Sequence, residues 1–439
     1  MMGTLARRLF LPALLAAGIE RCWIGLRQID DLRSEPVSTI VTLLVTSLLY
    51  LVSVYWVFRQ KRTLRPDLVF LIVATAIGFR LTAWPLYPAF SDDIFRYHWE
   101  GKLQVVGGGN PYLVAPSDPK WRGLRDETYP YVVLPDFKTI YGPAIELEQR
   151  AAYAMVSALP AFSRVFWMKL PSALFDLLAI GAILLWLHAR GDPLERVLVY
   201  AWCPLPVFEF WISGHNDAML VCFLSVALWL EARGGVYVGA ALSLAAATKL
   251  WPAMLFPFLH NRWKASMLGI AVFGVLSLPY LADVVENAQY ASGFLGGWRN
   301  NDSLYGLLLR FAAQGDVYRA KYWTFAILGA AVVWVWWKKY HLDRAAFVLV
   351  PFMLAISANV HPWYLTWLIP LLVVRPSAPL LLWVALVPIH YVVLIDWFAL
   401  GKWDGVSSSR WLVYVPVYAW MLASWLMRLR SNSCAPSGV

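Results

Sequence analysis

The sequence predicts an all-α integral membrane protein, a polytopic helical bundle with interfacial helices in its first large external loop. Three observations predict it. Of 439 residues, 60% are hydrophobic and 15% charged, with a mean hydropathy of +0.57. Soluble domains carry about 25% charge and roughly 45–50% apolar residues, so water would not keep this surface dissolved. Aromatic residues reach 15% and include 25 Trp, a side chain favoured where a bilayer meets water. Lys and Arg form short clusters between apolar runs, the pattern that orients a multi-span chain. The net charge of +10 therefore makes no continuous basic face, and nucleic acid is excluded as a partner. Cys22, Cys203, Cys222 and Cys434 lack CxxC spacing, which leaves neither a disulfide framework nor a zinc site.

A hydrocarbon core about 30 Å thick needs about 20 apolar residues as helix. Residues 8–28 follow Arg7 and Arg8, so the N-terminus is expected in the cytoplasm; a signal peptide is the rival reading, but the run lacks a clear small-residue cleavage site. Spans at 37–57 and 67–86 flank Arg59, Lys61, Arg62 and Arg65, a cytoplasmic loop by the positive-inside rule, which puts 87–162 outside. That external loop is expected to hold two interfacial helices, near 93–107 and 143–160. Spans at 163–189, 194–213 and 216–232 come next, with His215-Asn216-Asp217 at an outer turn. The stretch 235–262 contains Lys249, Pro252 and Pro257 and fits a broken pair of helices meeting near Lys249. Residues 265–282 lead to a second external loop, 283–317, and 318–337 returns to Lys338 and Lys339. Spans at 345–360 and 361–374 meet at an outer turn with His361. Spans at 378–396 and 411–428 complete a single transmembrane domain, 1–439, of about fourteen spans with both termini cytoplasmic.

On this topology the polar clusters that are not basic cytoplasmic loops all face outward: Ser91 to Asp93, Lys138 to Tyr141, His215 to Asp217, Lys249, Arg299 to Asp302, and Asn359 to His361. One extracytoplasmic cavity could gather them. The sharpest is Ser91-Asp92-Asp93-Ile94-Phe95-Arg96-Tyr97-His98-Trp99-Glu100. A helix cap needs one such acidic residue, whereas two adjacent carboxylates followed by Arg96, His98 and Glu100 suit a general base taking a proton from an acceptor hydroxyl. His215-Asn216-Asp217 either caps a helix or orients a base, binds a metal or holds a substrate hydroxyl. Lys249 before Trp251-Pro252 either snorkels or meets a lipid phosphate, and Lys138, Arg299 and His361 have the same two readings. Arg80, Glu20, Arg21, Glu209 and Asp396 are expected to neutralise or snorkel within the bundle. Gly107-Gly108-Gly109 lacks the strand and helix context of a phosphate loop.

From Ser91 to Tyr112 the string SDDIFRYHWEGKLQVVGGGNPY resembles the first external loop of GT-C glycosyltransferases, especially bacterial polyprenyl-phosphomannose-dependent mannosyltransferases. Further similarities follow in order: Thr139-Ile140-Tyr141-Gly142-Pro143, where the family has Thr-Ile-Tyr-Pro-Pro; His215-Asn216-Asp217-Ala218; Thr248-Lys249-Leu250 with Pro252; and His361-Pro362-Trp363-Tyr364. The resemblance spans residues 91–364 and departs at Gly142. It implies an inverting transfer of a sugar, mannose favoured, from a polyprenyl-phosphate donor to a glycan, lipid or protein acceptor on the extracytoplasmic face of the cell membrane. It makes Asp92 the favoured base with Asp93 its close rival, and Lys249 and His361, with Tyr141, groups that hold the donor phosphate; Lys138 and Arg299 join them on location and charge alone. Arg96, His215, Asn216 and Asp217 are then substrate contacts. No cofactor is expected; Asp92, His215 and Asp217 are the set a divalent cation would use.

A transporter of a lipid-linked or small polar substrate is the competing class. It should show internal repeats and polar residues near the midplane, and no repeat is seen. A diphosphate-linked glycan ligase should show a large external loop late in the chain, which the sequence lacks.

Overall fold

The computed structural model describes residues 2–60, 65–283 and 298–433. Lys61 and Arg62 of the basic loop, residues 284–297 of the second external loop and Cys434 lie outside the described residues. The chain is an all-α membrane protein: helices account for its regular structure, and among the described residues no strand forms beyond an isolated parallel bridge between Asn300 and Asn359.

Helices α1 (Met2–Leu26), α2 (Pro36–Arg59) and α3 (Pro66–Ala83) pack together at the start of the bundle. Pro36 and Pro66 open the latter two, at the position where a missing N–H costs nothing. Two amphipathic helices follow, α4 (Asp93–Val105) and α5 (Pro143–Val156), and lie against each other. The chain re-enters the bundle through α6 (Ala161–Trp167) and α7 (Leu170–Arg190). Helices α8 (Asp217–Ala232), α9 (Val238–Thr248) and α10 (Arg262–Ser277) then pack in succession from α7. The C-terminal part includes α11 (Leu304–Phe311), α12 (Val317–Trp337), α13 (Leu342–Ala355), α14 (Ala378–Leu386), α15 (Val393–Leu400) and α16 (Trp411–Ser433), with a short helix at Ile369–Val374 between α13 and α14.

Six stretches among the described residues are long and apolar enough to cross a membrane: Leu9–Leu26, Pro36–Arg59, Pro66–Ala83, Ala161–Arg190, Arg262–Tyr280 and Ala378–Leu400. Between them the apolar chain is repeatedly broken. Pro204 and Pro206 precede a π turn at Val207–Ile212, Pro252 and Pro257 shape a 3-10 turn at Trp251–Phe258, and Pro362 opens another at Pro362–Leu368. Proline removes an amide donor and clashes with the preceding turn, and such irregular backbone survives where protein surrounds it. Residues Val197 to Met219 are accordingly buried without interruption.

A buried ionic knot ties α3 to α7. Arg80 Nε donates to Asp176 Oδ2 at 2.5 Å, and Arg80 Nη1 donates to the carbonyls of Ala76 and Ala201. Tyr200 Oη and Trp211 Nε1 complete the Asp176 shell at 2.7 and 2.8 Å. Full satisfaction of both partners is what makes such a pair tolerable away from water.

Candidate active site

The start of α4 brings Asp92 and Asp93 to one end of the bundle, and capping does not account for either carboxylate. Asp92 stands at the N-cap but its side chain makes no cap hydrogen bond, while Ser91 Oγ accepts the Asp93 amide at 3.2 Å. The two carboxylates point to different surroundings. Asp92 pairs with the Arg33 guanidinium from the loop after α1, an interaction with no counterpart in the motifs. Asp93 is a quarter exposed, with Oδ2 3.8 Å from His215 Nε2, and it accepts no side-chain hydrogen bond among the described residues. Burial holds both carboxyls above their usual range; Arg33 opposes this at Asp92, and His215 with Lys249 opposes it at Asp93.

The π turn at Val207–Ile212 and Gly214 deliver His215 to this point. The wide turn carries the amides of Ser213 and His215 back to the carbonyls of Phe208 and Glu209, and such turns recur at functional positions. Gly214 has φ +75°, and a Cβ there would come within 2.7 Å of Ile94 and 2.8 Å of Lys169. Only glycine permits both that backbone and the close approach of α4. Glu209, fully buried, lies with Oε2 3.0 Å from His215 Nδ1, and its Oε1 accepts from Tyr391 Oη. His215 thus stands between Glu209 and Asp93.

The third element is the break between α9 and the Trp251–Phe258 turn. Lys249 adopts an extended conformation there, and its Nζ donates to Asp217 Oδ1 at 2.7 Å and Oδ2 at 2.9 Å. Trp367 Nε1 also donates to Asp217 Oδ1 at 2.7 Å. The ammonium sits 4.3 Å from the Tyr364 ring centre and 5.2 Å from that of Trp367, a cation–π arrangement. Trp363 joins the parts: its ring stacks on His215 at 3.9 Å and on His361 at 4.3 Å. Behind this stack, Asn300 bridges His361 Nδ1 and His390 Nε2, each at 3.0 Å.

Gly142, where the chain departs from the motif it resembles, has a steric reason. A Cβ at that position would lie 2.0 Å from the Ala247 carbonyl oxygen. The start of α5 is thereby pressed against the end of α9, which brings Tyr141 beside the Lys249 break. The Tyr141 ring meets Tyr97 edge-on at 5.2 Å.

Other candidates fall elsewhere. Arg96 is buried and directed into the protein: Nε donates to Glu100 at 2.6 Å, Nη1 to the Leu134 carbonyl at 2.9 Å and Nη2 to that of Phe137 at 2.7 Å. It fastens the 133–137 segment to α4. Arg299 lines a separate cavity and pairs with Asp302. Lys138 is half-buried on the segment that leads to Tyr141. Asn216 opens α8 without a side-chain cap bond, and its Nδ2 is buried with no partner among the described residues. Asp92, His215 and Asp217 are not gathered as a cation set, because Arg33 takes the first and Lys249 the last; no cluster of three metal-ligating side chains occurs among the described residues.

Glu209 and Arg33 are absent from the sequence-based candidates. Glu209 had a signal, since an ionisable residue inside an apolar run is a functional candidate by default. Arg33 had none, being one of two basic residues, with Arg27, in the short loop 27–35.

The arrangement offers a carboxylate at an open edge, a histidine backed by a second carboxylate, and a cation in an aromatic box. No curated protein and no solved structure matches the chain. Its residues 2–265, which include α4, the Glu209–Asp217 segment and Lys249, match the family described as alpha-(1->6)-mannopyranosyltransferase, N-terminal domain. Because this match covers more than half of the 439 residues, the chain belongs to that family and is a membrane-embedded mannosyltransferase.

Proposed function

We propose that the protein transfers mannose from a polyprenyl-phosphate donor to a glycan, lipid or protein hydroxyl with inversion at the anomeric carbon, and that Asp93 is the general base. The observation that carries the assignment is the contrast between neighbours: Asp92 is closed by Arg33, while Asp93 is open and faces His215. The acceptor oxygen attacks the anomeric carbon as its proton passes to Asp93, and the bond from that carbon to the phosphate oxygen breaks on the opposite side. The sugar is then joined to the acceptor, polyprenyl phosphate leaves with the bonding pair, and the proton on Asp93 returns to solvent.

Charge grows on the departing phosphate, and preplaced donors stabilise it. Lys249 suits this role, since two of its three N–H donors go to Asp217 and a fifth of the side chain stays exposed. His361 lies one stacked ring beyond His215 and suits the same phosphate. His215, backed by Glu209, orients Asp93 or the acceptor hydroxyl. Basic residues at the loops of the opposite end favour an extracytoplasmic position for this site, where a lipid-borne donor enters sideways and the acceptor enters from water.

The test is transfer from a synthetic polyprenyl-phosphate mannose in membranes holding Asp92→Asn or Asp93→Asn protein. Asp93→Asn is expected to lose about 10²–10⁴-fold in rate, the span of general base catalysis, and Asp92→Asn to retain most of it. Wild-type transfer by Asp93→Asn rejects the base.

A further inference from the structure

The described residues form an open cavity of about 700 Å³ that shares no lining residue with the Asp93–His215–Lys249 site. It lies between α11 and the start of α16, and three of its lining side chains are Arg299, Arg310 and Arg410. Among the described residues the carboxylate paired with these arginines is that of Asp302, fully buried, whose Oδ2 accepts from Arg299 Nε at 2.9 Å and Nη2 at 2.7 Å. Its Oδ1 lies 3.7 Å from Arg410 Nε, and neither of these buried atoms has a hydrogen bond among the described residues. Arg299 and Arg410 thus face this carboxylate, while Arg310 lines the same cavity with its guanidinium over the Phe311 ring, 5.4 Å from the ring centre, so three positive charges and one described carboxylate border one concave space. Arginines that only snorkel spread their heads into water; these three line one cavity. Guanidinium groups that share a cavity repel one another unless an anion lies between them, and their planar forks match phosphate oxygens.

The walls say where that phosphate comes from. Leu307 and Trp411 line the cavity, and exposed apolar side chains continue from it: Phe311 on α11, and Leu412 and Val415 on α16. A headgroup in the cavity would lay its hydrocarbon along these faces. Trp and Arg together at a helix end mark the depth at which headgroups lie. Asn300, next to Arg299, contacts His361, so the cavity and the transfer site lie at the same end of the bundle.

We propose that the Arg299–Arg310–Arg410 cavity binds the anionic phosphate headgroup of a membrane lipid, at a site distinct from the one that performs transfer. This goes beyond the transfer mechanism, and its test reads binding alone.

The full chain is placed in nanodiscs of phosphatidylcholine doped with phosphatidylglycerol or with polyprenyl phosphate, and retained lipids are counted by native mass spectrometry. Wild-type protein is expected to retain one doped lipid that R310Q and R410Q hold about fivefold more weakly, the effect of one basic residue at an anionic surface. Preference between the two doped lipids names the source of the phosphate. R310Q changes an exposed side chain and leaves the Arg299–Asp302 pair intact, so it carries the test if R410Q fails to fold. Equal retention by wild type and R310Q overturns the proposal. Displacement of the lipid by inorganic phosphate at equal concentration overturns the lipid assignment.

Discussion

His215 Nδ1 lies 3.0 Å from Glu209 Oε2 at the end of a π turn, with the opposite ring nitrogen aimed at Asp93. A buried carboxylate behind a histidine fixes the ring and favours its charged form. Burial alone would lower the His215 pKa, yet Glu209, Asp93 and Asp217 together hold it above the ordinary value.

Glu209→Gln keeps the size of the side chain but removes its charge. Loss of one charge-assisted contact is expected to slow transfer about tenfold, and the His215 pKa should fall. Rates measured against pH distinguish this from a packing defect: a structural role alone lowers the whole profile without moving its limbs.

Asp93 must be ionised to act as base, so the rate should fall on acidification with a midpoint above the ordinary carboxylate range. Lys249 lowers the Asp93 pKa and Asp217 raises it. Lys249→Met removes the first and leaves the second without its partner, so both changes push the acid limb of kcat/KM to higher pH. An acid limb that stays in place would separate Lys249 from the base.

Asp93 also carries a stability cost. Its folded pKa is raised above the unfolded value, so the stability linked to the group is full at low pH and is lost as pH rises through the folded pKa. Asp93→Asn is therefore expected to raise Tm at neutral pH while slowing transfer, and the gain should vanish in acid. Thermal unfolding at two pH values checks it.

Arg96→Ala strands the buried Glu100 carboxylate and frees the carbonyls of Leu134 and Phe137. Breaking a buried pair in this way costs about 3–5 kcal/mol. The expected outcome is a lower Tm and faster proteolysis within 126–138. A substrate-binding role would instead raise KM at unchanged Tm.

Gly142→Ala drives a methyl group into the Ala247 carbonyl. Backbone does not yield as a flexible side chain does, so a loss of about 1–3 kcal/mol is expected, with weaker donor binding as Tyr141 and Lys249 move apart. Thermal unfolding and KM for the donor report the two effects.

The all-α membrane class was legible in the composition, because runs of apolar residues near the length of a bilayer have one stable outcome: helix, with every backbone group paired internally. Asp93, His215 and Lys249 were legible as candidates, since polar side chains between apolar runs stand out against their surroundings. Their roles were not. Tertiary structure alone decided that Asp92 meets Arg33 while Asp93 meets His215, that Glu209 supports the histidine, that Arg96 faces inward, and that Arg299 opens on another cavity. Hydropathy is a property of each segment and survives as text. Charge pairing depends on which segments touch and at what angle, and at this site Gly142, Gly214 and a π turn set that contact.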